Sequence, residues 1–223
     1  AAACCCGNAY LRDFAIRYCP NSIILPTVVD TAIYRPAPRP HEERLTIGWI
    51  GSPSTWVGVR PILPLLAELC AETGARFLAV GAGRQGEADR FAGMETREWS
   101  EATEVADVQG MNIGIMPLLD RDFERGKSGY KLIQYMACGL PVVASRIGVN
   151  AEIVEPGVNG FLASSVEEWR QGLMRLLADA KLRRRLGAEG RSRAETSFSL
   201  ASQQGKLVRL FHSLGPAKAS RRA

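Results

Sequence analysis

The chain has 223 residues, 46% of them hydrophobic and 23% charged, with 28 Lys and Arg against 23 Asp and Glu for a net charge of +5. That length accommodates one large domain, or one domain with a fragment attached, and the composition is that of a globular protein able to bury a core. No run reaches the ~18 uninterrupted apolar residues of a membrane-crossing helix, so a soluble chain is expected.

Much of the basic excess falls late, at Arg183, Arg184, Arg185, Arg191, Arg193, Lys218, Arg221 and Arg222. It reads either as a solvated helix face or as a weak attraction to anionic lipid or an acidic substrate. Nucleic acid is not expected as a partner. The cysteines, Cys4, Cys5, Cys6, Cys19, Cys70 and Cys138, show neither zinc-site spacing nor a disulfide framework, and buried thiols in a reducing, cytoplasmic setting are expected. The start AAACCC has no charged region ahead of an apolar one, so it does not read as a signal peptide; it reads as the interior of a longer protein.

In chain order, Cys4 to Cys6 reads as a strand end, Tyr10 to Tyr18 as a short helix and Ser22 to Leu25 as a second strand stopped by Pro26. Pro26 to Arg44, with Pro26, Pro36, Pro38 and Pro40 and no apolar period, reads as a linker. From Leu45 strands and helices alternate. Strands are expected at Leu45 to Gly51, Arg76 to Gly81, Thr96 to Trp99, Asn112 to Met116, Pro141 to Ser145 and Gly160 to Ala163. Helices are expected at Val59 to Thr73, Gln85 to Phe91, Ala102 to Gln109, Tyr130 to Cys138 and Ala151 to Val154, and from Val166 to Leu214. Such alternation implies an α/β fold, a Rossmann-like doubly wound parallel sheet with helices on both faces.

Ligands of such sheets bind beyond the carboxyl ends of the strands, which directs attention to the connecting loops. After the first strand, Gly51, Ser52, Pro53, Ser54 and Thr55 offer small side chains and backbone amides to a phosphate or sugar, or form an ordinary turn. No third glycine completes the GxGxxG pattern of nicotinamide or flavin sites. The second loop carries more. Gly126, Lys127, Ser128 and Gly129 precede a helix beginning at Tyr130, and Lys131 lies in its first turn, where positive charge opposes the helix dipole unless an anion is near. A diphosphate supplies that anion. Lys131 and Gln134 share a helix face, joining a cation for phosphate to an amide for ribose hydroxyls; two solvated lysines flanking a loop are the alternative.

The run GKSGYKLIQYMACGLPVVAS from Gly126 to Ser145, continued by Ile147 to Val154 and GVNGFL from Gly157 to Leu162, resembles the donor-binding signature of glycosyltransferase family 4, also called group 1. The likeness extends from about Leu45 to the C-terminal helices. It implies the C-terminal half of a GT-B enzyme, with a nucleoside-diphosphate sugar as donor, retention at the anomeric carbon and neither cofactor nor metal. Residues 1–34 then resemble the last βα unit of an otherwise absent N-terminal acceptor domain, 35–44 a linker, 45–198 the donor-binding domain, 199–214 a C-terminal helix and 215–223 a basic tail. Peripheral association with the inner face of a membrane is a further expectation.

Many members place Glu at the positions of Gly126 and Gln134, for the donor sugar and the ribose. Many also carry a basic pair after the first strand, where this chain has Ser54, Thr55, Trp56 and Val57, with Arg60 nearby. Diphosphate neutralisation is therefore assigned to Lys127 and Lys131. The donor-binding set is completed by Gly51, Ser52, Gly126, Ser128, Gly129, Tyr130, Gln134 and Trp99, with base contacts from Arg97 to Ser100. Trp49, Trp56 and Trp99 line the cleft or pack in the core. Asp120 and Asp122, in an exposed loop of mixed charge, are not expected to hold a metal, His41 and His212 read as surface residues, and Glu152 reads as a cap or hinge. A non-catalytic nucleotide-sugar-binding domain, a truncated product and a nucleotide-sugar epimerase are alternative readings.

Overall fold

In a computed structural model, residues 1–38 and 44–214 are described, so His41, Lys218, Arg221 and Arg222 lie outside the described residues. The strands β3 (Thr46–Ile50), β4 (Arg76–Val80), β5 (Met94–Arg97), β6 (Ile113–Met116), β7 (Val142–Ser145) and β8 (Gly160–Ala163) form a parallel sheet in the order β5-β4-β3-β6-β7-β8. Every residue of β3, β6, β7 and β8 is buried. Near-continuous apolar runs are what a sheet covered on both faces requires. Ile47, Trp49, Phe77 and Ile113 pack on one face beneath α2 (Leu63–Thr73) and α8 (Val166–Ala178). Ile50, Leu78, Met116 and Val142 pack on the other, against α6 (Tyr130–Ala137). The doubly wound fold is as the alternation predicts.

The order reverses between β3 and β6, and the two strands pair only through Ile47 with Ile113 and Gly48 with Gly114 before they part. The Ile50 amide therefore has no ladder partner on that side. It donates instead to the Tyr135 hydroxyl at 3.0 Å, and that hydroxyl donates to the Ile115 carbonyl at 3.3 Å. Gly114 makes the bridge feasible, because a Cβ there would stand 2.3 Å from the Tyr135 ring. A buried phenol thus holds open the crevice in which such sheets bind ligands.

The helix expected from Val59 begins only at Leu63. Residues Pro53–Gly58 and Arg60–Ile62 are 3-10 turns instead, with a proline near the start of each, where its fixed φ suits a first turn. The remaining helices are α3 (Gly83–Ala88), α4 (Glu104–Gln109), α5 (Asp122–Arg125), α7 (Asn150–Ile153), α9 (Ala180–Ser197) and α10 (Leu200–Ser213). Short α5 lies inside the segment expected to be a plain loop. No described helix is long and apolar enough to cross a membrane.

Before the sheet, β1 (Cys4–Cys6) and β2 (Ser22–Ile24) form a small parallel pair around α1 (Ala9–Ala15). The described part of the expected linker is docked rather than free. Val29 and Tyr34 are buried, Val29 pairs with Ser199 at the start of α10, and Arg191 of α9 donates to the carbonyls of Thr31, Tyr34 and Ala137. Arg191 is therefore a clamp within the fold, not part of a solvated basic face. The thiols of Cys6, Cys19, Cys70 and Cys138 are buried, whereas Cys5 is exposed on β1.

Candidate functional site

The segment from Gly126 to Tyr130 lies at the crevice because two polar side chains fasten its flanks. Ser145 Oγ, at the end of β7, accepts from the Leu118 amide at 2.9 Å and donates to its carbonyl at 3.2 Å. From the other side comes Asn8, almost wholly buried. Its Oδ1 caps α1 by accepting from the Leu11 amide, and its Nδ2 donates to the carbonyls of Lys127 at 2.9 Å and Arg125 at 3.3 Å. One side chain thus ties the small N-terminal unit to the loop. Asn8→Ala removes a helix cap worth ~1 kcal/mol and leaves two carbonyls without this donor, for a destabilisation of about 2–3 kcal/mol. Faster amide hydrogen exchange across residues 125–131, measured together with the urea midpoint, is the expected signature.

Helix α6 starts from Gly129, which has φ 71° and provides no side-chain cap. The first-turn amides consequently face the crevice uncompensated, as at sites that receive anions. Lys131 stands beside them. Its ammonium lies 5.7 Å from the centre of the Trp49 ring, and its stem passes so near Gly51 that a Cβ on Gly51 would meet Lys131 Cε at 2.8 Å. Burial, then the charge of Lys127, brings the Lys131 pKa down to about 8. Burial also lowers that of Lys127, whose ammonium lies 5.3 Å from the Phe123 ring, while Glu124 opposes the shift. Among the described residues neither lysine forms an ion pair, in contrast to Arg125, which Asp120 engages at 2.8 Å. A cavity of about 500 Å³ opens here, lined by Tyr10, Phe123, Lys127, Ser128, Tyr130 and Lys131 among others.

The structure brings together Gly126, Lys127, Ser128, Gly129, Tyr130 and Lys131 around this opening, with Gly51 against the Lys131 stem. The first loop contributes space more than donors. The amides of Gly51, Ser52 and Thr55 donate to Val80 O, Thr55 Oγ1 and Ser52 O, so they are used within the protein. Trp49 and Trp56 are core residues; the Trp56 indole donates to Asp89 at 2.7 Å, which also receives Arg60. Arg60 is thereby spent on Asp89. Trp99 is half exposed at the end of β5, its Cβ 3.1 Å from where a Cβ on Gly81 would stand.

Gln134 is buried one turn below Lys131. Its amide donates to Glu104 Oε1 at 2.7 Å and to the Tyr34 hydroxyl at 3.1 Å, while Tyr34 and the Trp99 indole also donate to the Glu104 carboxylate. Burial and the bond to Glu104 hold the Tyr34 phenol well above its ordinary pKa. Sequence reasoning missed Tyr34, Glu104 and Asn8. No local pattern marks Tyr34 or Glu104, since Gln134 is separated from Glu104 by 30 residues and from Tyr34 by 100, and the bond of Asn8 to Lys127 spans 119 residues. Glu152 is exposed and packs no cap of α7; its carbonyl accepts from Arg193.

A parallel sheet of this order, with a helix uncapped by any side chain and two lysines that form no ion pair among the described residues at its reversal, defines a doubly wound domain with a cationic crevice. Residues 44–179 match the family described as glycosyl transferases group 1, and the chain belongs to that family. It is 39% identical over 66 residues to spore coat protein SA of Bacillus subtilis (strain 168), an alignment covering 28% of this chain and 18% of that protein. Among solved structures, Anabaena HepE in complex with UDP and glucose superposes with a TM-score of 0.80 at 15% identity, covering 96% of this chain and 63% of that one. Sucrose-phosphate synthase from Thermosynechococcus elongatus gives 0.75 at 20% identity, covering 94% and 57%. The chain thus spans less than two thirds of each of these relatives, and the structural likenesses establish the fold.

Proposed function

We propose that this chain is the nucleotide-sugar-binding part of a glycosyltransferase that moves a sugar from a nucleoside-diphosphate donor to an acceptor hydroxyl, with retention at the anomeric carbon and no resident cofactor. One observation carries this reading: Lys131, desolvated and without a carboxylate partner among the described residues, stands beside the uncapped start of α6 at the point where the sheet order reverses. A buried cation of this kind is costly unless an anion completes it. The UDP in the HepE structure supports the choice of anion.

In such a transfer the bond from the anomeric carbon to the diphosphate oxygen breaks, and negative charge grows on the leaving diphosphate. Lys127 and Lys131 meet that charge, together with the amides of Ser128, Gly129 and Tyr130. A preplaced donor in a water-poor crevice is worth ~3–4 kcal/mol in the transition state. Gly51 gives the phosphates close approach, Gly126 leaves room for the donor sugar, and Ser52 and Trp99 complete the donor site, with Gln134 supporting it from within the fold. Residues 1–34 belong to the acceptor-side unit, 45–198 to the donor domain, and the segment from 199 returns against the first unit. A cytoplasmic protein, peripheral to the inner face of a membrane, fits this assignment.

Titration calorimetry with UDP, GDP and ADP, paired with sugar-transfer assays read by NMR of the anomeric proton, tests the reading. Binding accompanied by transfer with retained configuration supports it. Binding without turnover favours a non-catalytic nucleotide-sugar module, product isomerisation without acceptor favours an epimerase, and no binding at all removes the donor site.

A further inference from the structure

The Glu104 carboxylate is drawn into the polar cluster beside the donor crevice, and it comes from α4 rather than from the donor segment. The contacts trace a path. Lys131 touches Gly51; Gly51 O would stand 2.2 Å from a Cβ on Gly81; that same Cβ would stand 3.1 Å from Trp99; and the Trp99 indole donates to Glu104. The path closes through Gln134, which donates to Glu104 Oε1 at 2.7 Å from the helix face it shares with Lys131. A cation, a carboxylate and a half-exposed aromatic ring are therefore joined in one run of contacts, with Lys131 and Gln134, which binds the carboxylate, about one helical turn, ~5 Å, apart along α6.

A ribonucleoside diphosphate presents its groups in the same succession: phosphate, vicinal diol, base. The diol offers two O–H donors and so calls for an acceptor. Gln134 has already directed its N–H donors to Glu104 and Tyr34, whereas a carboxylate has about four acceptor sites, of which Tyr34, Trp99 and Gln134 take three here, leaving one for a ribose hydroxyl. The flanking donors also fix the rotamer of Glu104.

We infer that Glu104 accepts the ribose 2′-hydroxyl in the donor site, with Tyr34 and Gln134 as its positioning residues, so that the chain selects ribonucleotides over 2′-deoxyribonucleotides through α4. The inference rests on the nucleotide-sugar reading above. Losing a hydrogen bond to a charged group weakens binding about 10- to 100-fold.

The test is calorimetric binding of UDP and GDP, and of their 2′-deoxy forms, to wild type, Glu104→Gln and Tyr34→Phe, with thermal melting as the check on folding. For whichever ribonucleotide wild type binds more tightly, it prefers the ribo over the deoxy form by about tenfold or more. Glu104→Gln loses the ribonucleotide affinity and leaves the deoxy affinity in place, erasing the preference; Tyr34→Phe, which keeps the carboxylate, reduces the preference in part. Equal losses for both sugars in Glu104→Gln, or a preference intact in both variants, overturns the inference while leaving the donor site standing. Absence of any nucleotide binding to folded wild type overturns the inference together with the reading beneath it.

Discussion

Lys131→Met weakens binding of a nucleoside diphosphate by about 100-fold or more, the scale expected for removing a charged partner of phosphate, and at the same time makes the folded chain more stable at pH 7. The two effects have one cause. The Lys131 side chain lies against the Trp49 ring and Gly51, and burial holds its pKa near 8 in place of the ordinary 10.5. At pH 7 the folded state therefore carries a charged lysine in a place that disfavours it, at a cost on the order of 3 kcal/mol. Methionine keeps the stem and discards the ammonium, losing in return a cation–π contact of ~0.5–1 kcal/mol. A net gain on the order of 2 kcal/mol should appear in the urea midpoint at pH 7.

The sign of the pH dependence follows directly. Between pH 8 and 10.5 the unfolded chain still holds the proton that the folded chain has released, so wild-type stability rises with pH across that window on account of this group. The stability advantage of Lys131→Met is fully present below pH 8 and disappears by pH 10.5. Bound diphosphate restores the charged lysine, so wild-type affinity falls as pH climbs above 8 and binding takes up a proton there. Calorimetry at pH 9 in two buffers of different ionisation heat measures that uptake; equal heats in the two buffers would show that Lys131 does not meet the phosphate.

The strands were legible because burial on both faces forces them into short apolar runs with glycine or proline at their ends, as in Thr46–Ile50 and Val142–Ser145. Helix α6 was legible for a related reason: its start combines glycines with lysines that a helix dipole resists. The docking of the segment before the sheet was not legible. Its anchors are single residues, Val29 and Tyr34, in a proline-rich stretch without period, and their burial depends on α9 and α10 far along the chain. Gln134 was correctly placed on the face of Lys131, but its immediate partners are protein groups, because the strand order β5-β4-β3-β6 brings α4 beside α6 and delivers Glu104 to it. Such meetings follow from topology, which no window of sequence contains. The same holds for Asn8, whose cap on α1 has a local signature while its hold on Arg125 and Lys127 has none.

Gly129→Ala should destabilise the chain by about 2–4 kcal/mol and remove diphosphate binding. The backbone at Gly129 has φ 71°, where an L-residue pays ~1–2 kcal/mol, and a Cβ there would stand 2.3 Å from Ile153 Cδ1 and 3.2 Å from Val149 Cγ1. Ile153 is fully buried against β7 and has little freedom to retreat. The relief available is a shift of the α6 start, which displaces the Ser128 to Tyr130 amides and Lys131 together. Gly157 separates the two contributions. Its φ is 79°, yet a Cβ there meets nothing within 4 Å, so Gly157→Ala reports the left-handed backbone cost alone, about 1–2 kcal/mol, with binding unchanged. Urea denaturation of the pair isolates the collision with Ile153 as the difference between them, and calorimetry on the folded variants decides what the collision does. If Gly129→Ala were to bind the diphosphate as wild type does, the left-handed turn would not be what aims the helix at its anion, and the site would reduce to its two lysines.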